Sequence, residues 1–141
     1  MKHYLAYWKW EDWQARGAES AYHSSAAIML SMNPDDQLWL FTRNKSRDTI
    51  QVVRRIDIQE RKNMRGAEPW EYGVFGSGPS RQPTKSPNGD WLKVFDGVAT
   101  IRGTHLKSKS AGKLAQRVQK PRQITADSAD LLWNEWKKRN P

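Results

Sequence analysis

The chain has 141 residues, a length that suits one domain with its own core, and carries 24 Lys and Arg against 15 Asp and Glu for a formal charge of +9. It has no cysteine, which excludes disulfides, thiolate metal sites and the Cys-dependent zinc centres of base deaminases. No apolar run has signal-peptide or membrane-spanning length, so the expectation is a soluble, cytoplasmic protein with a single domain over 1–141.

Residues 3–9 alternate as a strand would, with Leu5 and Tyr7 on one side and Tyr4, Ala6 and Trp8 on the other. Glu11 and Asp12 then supply the negative charge that a helix N-terminus favours, predicting a short helix through Trp13 to Arg16 that Gly17 ends. Residues 18–31 read as a loop passing into a short buried helix at Ile28, Met29 and Leu30. After the break at Asn33, Pro34, Asp35 and Asp36, the run Leu38, Trp39, Leu40, Phe41 is too short for a helix and reads as a central strand buried on both faces.

Residues 44–48 predict a hairpin turn into the most periodic segment of the chain. There Ile50, Val52, Ile56 and Ile58 are expected on one face, and Thr49, Gln51, Arg55, Asp57 and Gln59 on the other. Arg54 interrupts the apolar row, so the strand should bend there or reach an open edge. A polar stretch, 61–69, leads to a fourth strand over 70–75. Residues 76–90, dense in Gly, Pro and Ser, predict a long loop of the kind that is disordered or binds something. A fifth strand is expected over 91–95. Thr125 and Asp127 open a final helix that puts Ala129, Leu132, Trp133 and Trp136 on one face and ends in Lys137, Lys138 and Arg139. Together these elements predict an α+β domain on a curled sheet of five to six strands with short flanking helices.

The positive charge is unevenly distributed. From Gly97 to Ala126 there is no Asp or Glu, yet Arg102, Lys107, Lys109, Lys113, Arg117, Lys120 and Arg122 all lie there among Thr, Ser, Gly and Gln. Phosphate-contacting surfaces mix long cations with short hydroxyl and amide donors in this way. A basic loop followed by a solvated helix face would give the same composition. Arg81 and Lys85 in the long loop join Arg102, Lys107, Lys109 and Lys113 as candidate phosphate contacts.

Catalytic signatures are sparse. His3, His23 and His105 are isolated in sequence, with none at metal-ligand spacing from another. Ser24 and Ser25 follow His23 without the turn that exposes a nucleophile, and Gly76-Ser77-Gly78 lacks the Lys and helix of a phosphate loop. The expectation is a protein with no catalytic residues, metal or cofactor. Of the eight tryptophans, Trp39, Trp91, Trp133 and Trp136 sit in apolar registers and read as core. Trp8, Trp10, Trp13 and Trp70 lie at element ends or among polar residues. Flat aromatic faces beside positive charge suit a protein that holds a nucleobase by its ring and its strand by the phosphates.

The opening Tyr4-Leu-Ala-Tyr-Trp8 with Glu11-Asp-Trp13, the segment Tyr22-His-Ser-Ser25, the run Met32-Asn-Pro-Asp-Asp-Gln-Leu-Trp39 and the tail from Pro121 to Leu132 resemble EVE-type domains of the PUA-like superfamily. YTH, ASCH and SRA domains are relatives of that group. The resemblance implies a small curled β-barrel flanked by helices that binds a modified base in DNA or RNA; in some bacterial proteins such a domain directs an HNH nuclease to DNA carrying modified cytosine. It also implies a pocket from Trp8, Lys9 and Trp10, from Tyr22, His23, Ser24 and Ser25, and from Trp70 with Tyr72. His23 to Ser25 depart from the Asn-rich residues that EVE domains often carry near that place. The expected function is a reader that flips a base, with 5-methyl- or 5-hydroxymethylcytosine in DNA first, into an aromatic cage, as a free-standing protein or as the specificity module of a restriction system. The alternative is an RNA-binding or small-ligand-binding regulatory protein with an acidic partner.

Overall fold

A computed structural model describes residues 1–64, 66, 69–83, 85 and 87–141. Six strands form one mixed sheet: β1 (His3–Tyr7), β2 (Ala21–Ser24), β3 (Gln37–Asn44), β4 (Thr49–Asn63), β5 (Tyr72–Ser77) and β6 (Arg122–Ile124), in the spatial order β2-β5-β4-β3-β1-β6. β1 and β3 run parallel, the other neighbours antiparallel, and the two outermost strands do not pair with each other, so the sheet is not closed. Three helices accompany it, α1 (Trp10–Arg16), α2 (Ala111–Arg117) and α3 (Ala126–Arg139), with 3-10 turns at Ala27–Ser31 and Val94–Gly97.

Each face of the sheet carries its own apolar cluster. Leu5, Trp39, Phe41, Ile50 and Val52 pack with Trp91, Phe95, Leu114, Leu132 and Trp136 on the side that α2 and α3 cover. Tyr4, Ala6, Leu38, Leu40, Val53, Ile56, Ile58 and Val74 pack with Trp13, Tyr22, Met29 and Met32 on the other. Tyr4 on β1 and Tyr22 on β2 belong to the same cluster although four strand spacings, about 19 Å on a flat sheet, separate their strands. The sheet must therefore bend around this second cluster, which brings the ends of β1 and β2 toward one mouth.

The periodic segment does not keep one face. The β3–β4 register pairs Leu40 with Arg54 but Phe41 with Val52, leaving Val53 as an extra residue. Such a bulge shifts the side-chain alternation by one, so Ile50 and Val52 face the helices while Val53, Ile56 and Ile58 face the opposite cluster. The break in the apolar row coincides with this irregularity at Val53, next to Arg54, and β4 lies in the middle of the sheet, not at an edge. Arg54 is 5% exposed and its guanidinium donates to the carbonyls of Glu19 at 2.6 Å and Gly17 at 3.2 Å, which ties the turn after α1 to the sheet. Burial pulls its pKa down.

Other local expectations divide in the same physical way. β1, α1, β3, the 44–48 turn and α3 form where local pattern and caps direct them; Thr125 Oγ1 accepts from Ser128 N at 3.1 Å to open α3. The segment 91–95 is not a strand. Trp91 N donates to Ile50 O at 2.8 Å, and the chain then turns into the 3-10 segment, with Trp91, Phe95 and Val98 all buried at near-helical spacing. Residues 76 and 77 complete β5, and the following segment is fastened along β4 where β5 has departed, through Arg81 N to Val53 O at 2.8 Å and Asn88 Nδ2 to Val52 O at 3.1 Å. Parts of the 61–69 stretch and of the 76–90 loop lie outside the described residues. Among the described residues, no helix is long and apolar enough to cross a membrane.

Candidate nucleic-acid interface

At the mouth where β1, β2, the β3–β4 hairpin and α2 meet, a cavity of about 780 Å³ opens to the surface, within the range of small-ligand sites. Trp8, Lys9, Tyr22, His23, Ser24 and Trp70 line it. These are the residues expected from β1, from the segment after α1 and from the edge of β5, brought together from three separate parts of the sequence.

Each is positioned by an identifiable contact. Trp8 N donates to Phe41 O at 2.8 Å, continuing the parallel β1–β3 ladder one residue past the strand and fixing the indole at its end. Lys9 is exposed at the N-cap of α1, and its carbonyl accepts from Trp13 N at 3.0 Å. His23 lies opposite Gly73 in the β2–β5 register, where a Cβ would stand only 2.9 Å from the imidazole. The missing side chain lets the ring settle over β5, stacked on Trp70 at 5.5 Å with 23° between planes and edge-on to Phe75 at 5.6 Å. Ser24 Oγ accepts from Ala26 N at 3.1 Å.

Tyr22 is almost fully buried, and desolvation pushes its phenol up to about 12, opposed more weakly by a hydrogen bond with Ser24. Tyr7, also on the cavity wall, has its pKa raised by burial first and by Glu11 next, with Arg43 pulling it back. Both hydroxyls stay neutral across the physiological range and offer donors and acceptors rather than charge.

Three of the expected pocket residues stand elsewhere. Trp10 packs against Trp13, centroids 5.1 Å apart, and leans on the inner apolar cluster. Ser25 Oγ accepts from Glu71 N at 3.0 Å, pinning the Trp70-bearing segment to the end of β2. Tyr72 packs on the inner cluster. Trp13, left open by the sequence, is core at 2% exposure. Trp39, Trp91 and Trp136 are buried, and Trp133 is half-buried with Arg55 over its ring at 4.7 Å.

The six cations chosen from the sequence lie off the cavity wall. Arg81 Nη1 donates to Asn140 Oδ1 at 2.7 Å behind α3, and Arg102 borders a separate depression of about 270 Å³ with Ile101 and Arg122. Lys85, Lys107, Lys109 and Lys113 are exposed. Lys107 O accepts from Arg117 Nη1 at 2.6 Å, so α2 braces that loop from below. The basic stretch itself contains α2, capped by Ser110 Oγ accepting from Lys113 N at 3.2 Å, and the edge strand β6, neither of which was read from the sequence.

The cations that do line the cavity besides Lys9 are Arg16, Arg43 and Lys45, together with the carboxylates of Glu11, Asp12 and Glu19. Gln116 and Gln119 of the α2 segment complete the wall. Sequence reasoning missed these because a lone Arg and Lys in a hairpin, or two Gln in a polar run, carry no pattern. Among the described residues, no three His, Asp or Glu side chains converge as metal ligands. No protein-family model matches the chain, and no curated protein matches it either.

Proposed function

We propose that the chain is a non-enzymatic reader that takes one modified base of DNA, modified cytosine first, into the cavity beside Trp8 and the Trp70–His23 stack. The observation that carries this reading is the convergence of those aromatic rings and Tyr22 on one open cavity of about 780 Å³ rimmed by cations. Removing a base from a duplex costs a few kcal/mol, while stacking on an aromatic side chain returns roughly 1–3 kcal/mol per base, so two aromatic surfaces offset the extrusion. A methyl group in an apolar niche adds only about 0.8 kcal/mol, so polar groups must choose the base. Ser24, His23, the glutamines and the carboxylates of the wall are the groups at hand. A carboxylate accepts from an exocyclic amino group, which cytosine has and thymine lacks.

The resemblance of the motifs to EVE-type domains agrees with this reading, and a PUA-like barrel is part of the same proposal. So are a cytoplasmic setting and a nuclease or other effector acting beside the reader. A second reading is a regulatory protein for a small polar ligand; the three carboxylates in the wall favour it, since they lower the cavity's attraction for a polyanion.

The test is fluorescence anisotropy of labelled oligonucleotides that differ in one modified base. Trp8→Ala and Trp70→Ala should each weaken binding of the preferred oligonucleotide by about 5- to 150-fold, the equivalent of one stacked base. Circular dichroism should remain that of a folded protein. An unchanged preference in both variants rejects the aromatic site, and binding of a small ligand without nucleic acid favours the second reading.

A further inference from the structure

We infer that the bound strand crosses the rim formed by the end of β1, the β3–β4 hairpin and α2, with Lys9, Arg43 and Lys45 meeting its phosphates. This rests on the base-reading function above. A base lodged in the cavity leaves its two flanking phosphates just outside the mouth, so the neutralising cations must stand on the rim itself. Lys9, Arg16, Arg43 and Lys45 line the cavity, Arg16 on the same α1 segment as Glu11 and Asp12, and none of Arg81, Lys85, Arg102, Lys107, Lys109 and Lys113 lines it.

The rim is built to hold cations. Arg43 closes onto Asp48 through Nε at 3.0 Å and Nη2 at 3.0 Å, which fixes the guanidinium on the hairpin and leaves other N–H donors for an anion. On its far side the guanidinium lies against Gly112 of α2, where a Cβ would be 3.1 Å from Cζ. The absent side chain at Gly112 makes room for that arginine. Gln116, one turn further along α2, and Gln119, just past its end, are exposed on the same wall and add the neutral amide donors common at phosphate contacts.

The charge is also polarised across the mouth. On the α1 side Glu11, Asp12 and Glu19 outnumber Lys9 and Arg16, whereas the lining residues of the β3–β4 hairpin are Arg43 and Lys45 with no lining carboxylate. Repulsion from the α1 side and attraction on the hairpin side steer the backbone over the hairpin and α2. Of the 81–113 cations, Arg81 is engaged with Asn140, and the others stand on surface away from the cavity wall.

The experiment is the salt dependence of oligonucleotide affinity. Each phosphate contact removed should flatten the slope of log affinity against log salt by about 0.9 for duplex and about 0.7 for single strand. Lys9→Gln with Lys45→Gln should therefore lower the slope by about 1.4 to 1.8, while Lys85→Gln with Arg102→Gln should leave it as it is. Both pairs replace exposed side chains, and matching thermal melts establish that they fold. A lowered slope in the second pair with an unchanged slope in the first overturns the rim assignment. If the rim pair flattens the slope but the protein shows no preference for a modified base, the strand path stands and the modified-base reading falls. If the modification preference holds while the rim pair is silent, the path falls and the reading stands. A protein that binds no oligonucleotide loses both.

Discussion

Tyr22 offers a quantitative check, because it lines the cavity although it is almost fully buried. Folding pushes the phenol from the ordinary 10.0 up to about 12, chiefly by desolvation. Below pH 10 the group is neutral whether the chain is folded or unfolded, and its contribution to stability is intact. Above pH 10 the unfolded chain releases the proton and the folded one retains it, so ionisation draws the equilibrium toward the unfolded state until the folded phenol also titrates. One pKa unit corresponds to about 1.36 kcal/mol, so the loss reaches roughly 1.4 kcal/mol at pH 11 and approaches about 2.7 kcal/mol above pH 12.

Tyr22→Phe keeps the ring and removes the titration. Urea unfolding followed by tryptophan fluorescence at pH 9 and pH 11, on both proteins, isolates the effect. Every other group is common to both proteins and cancels in the difference. The wild type should lose about 1.4 kcal/mol more than Tyr22→Phe between the two pH values. Equal losses would refute the burial argument.

Two further substitutions probe the scaffold. Gly76 faces the Asp57 carbonyl at the irregular β4–β5 register, where an added Cβ would overlap that oxygen, so Gly76→Ala should cost about 1–3 kcal/mol in denaturant unfolding. An unshifted midpoint would contradict the close approach. Trp10→Ala removes a ring that packs on Trp13 away from the cavity, so it should lower stability by about 1–3 kcal/mol and leave discrimination between modified and unmodified oligonucleotides unchanged. Lost discrimination at unchanged stability would return Trp10 to the binding site.

What could be read along the chain was whatever short-range physics settles. Alternation gave β1, the compact apolar run gave β3, and a hydroxyl cap with an apolar stripe gave α3. Ser110 before Leu114, Ala115 and Val118 was the same kind of signal for α2, hidden by the surrounding charge. β2 had no such signal: its four residues mix Ala, Tyr, His and Ser at the lip of the cavity, and they become a strand because β5 offers them a partner. Nor could alternation alone reveal that Val53 is an extra residue, since a bulge is defined by the strand opposite.

The site divides in the same way. The sequence by itself determined an aromatic-rich, strongly basic α+β chain and supplied the motif residues Trp8, His23 and Trp70. Only the tertiary structure decided that these rings line one cavity, that Trp10 and Tyr72 pack elsewhere, and that Arg43, Lys45, Gln116 and Gln119 share that cavity. The reason is physical: ring stacking and charge pairing act through space over a few ångströms, and the bending of the sheet, not proximity along the chain, sets which side chains come within that range.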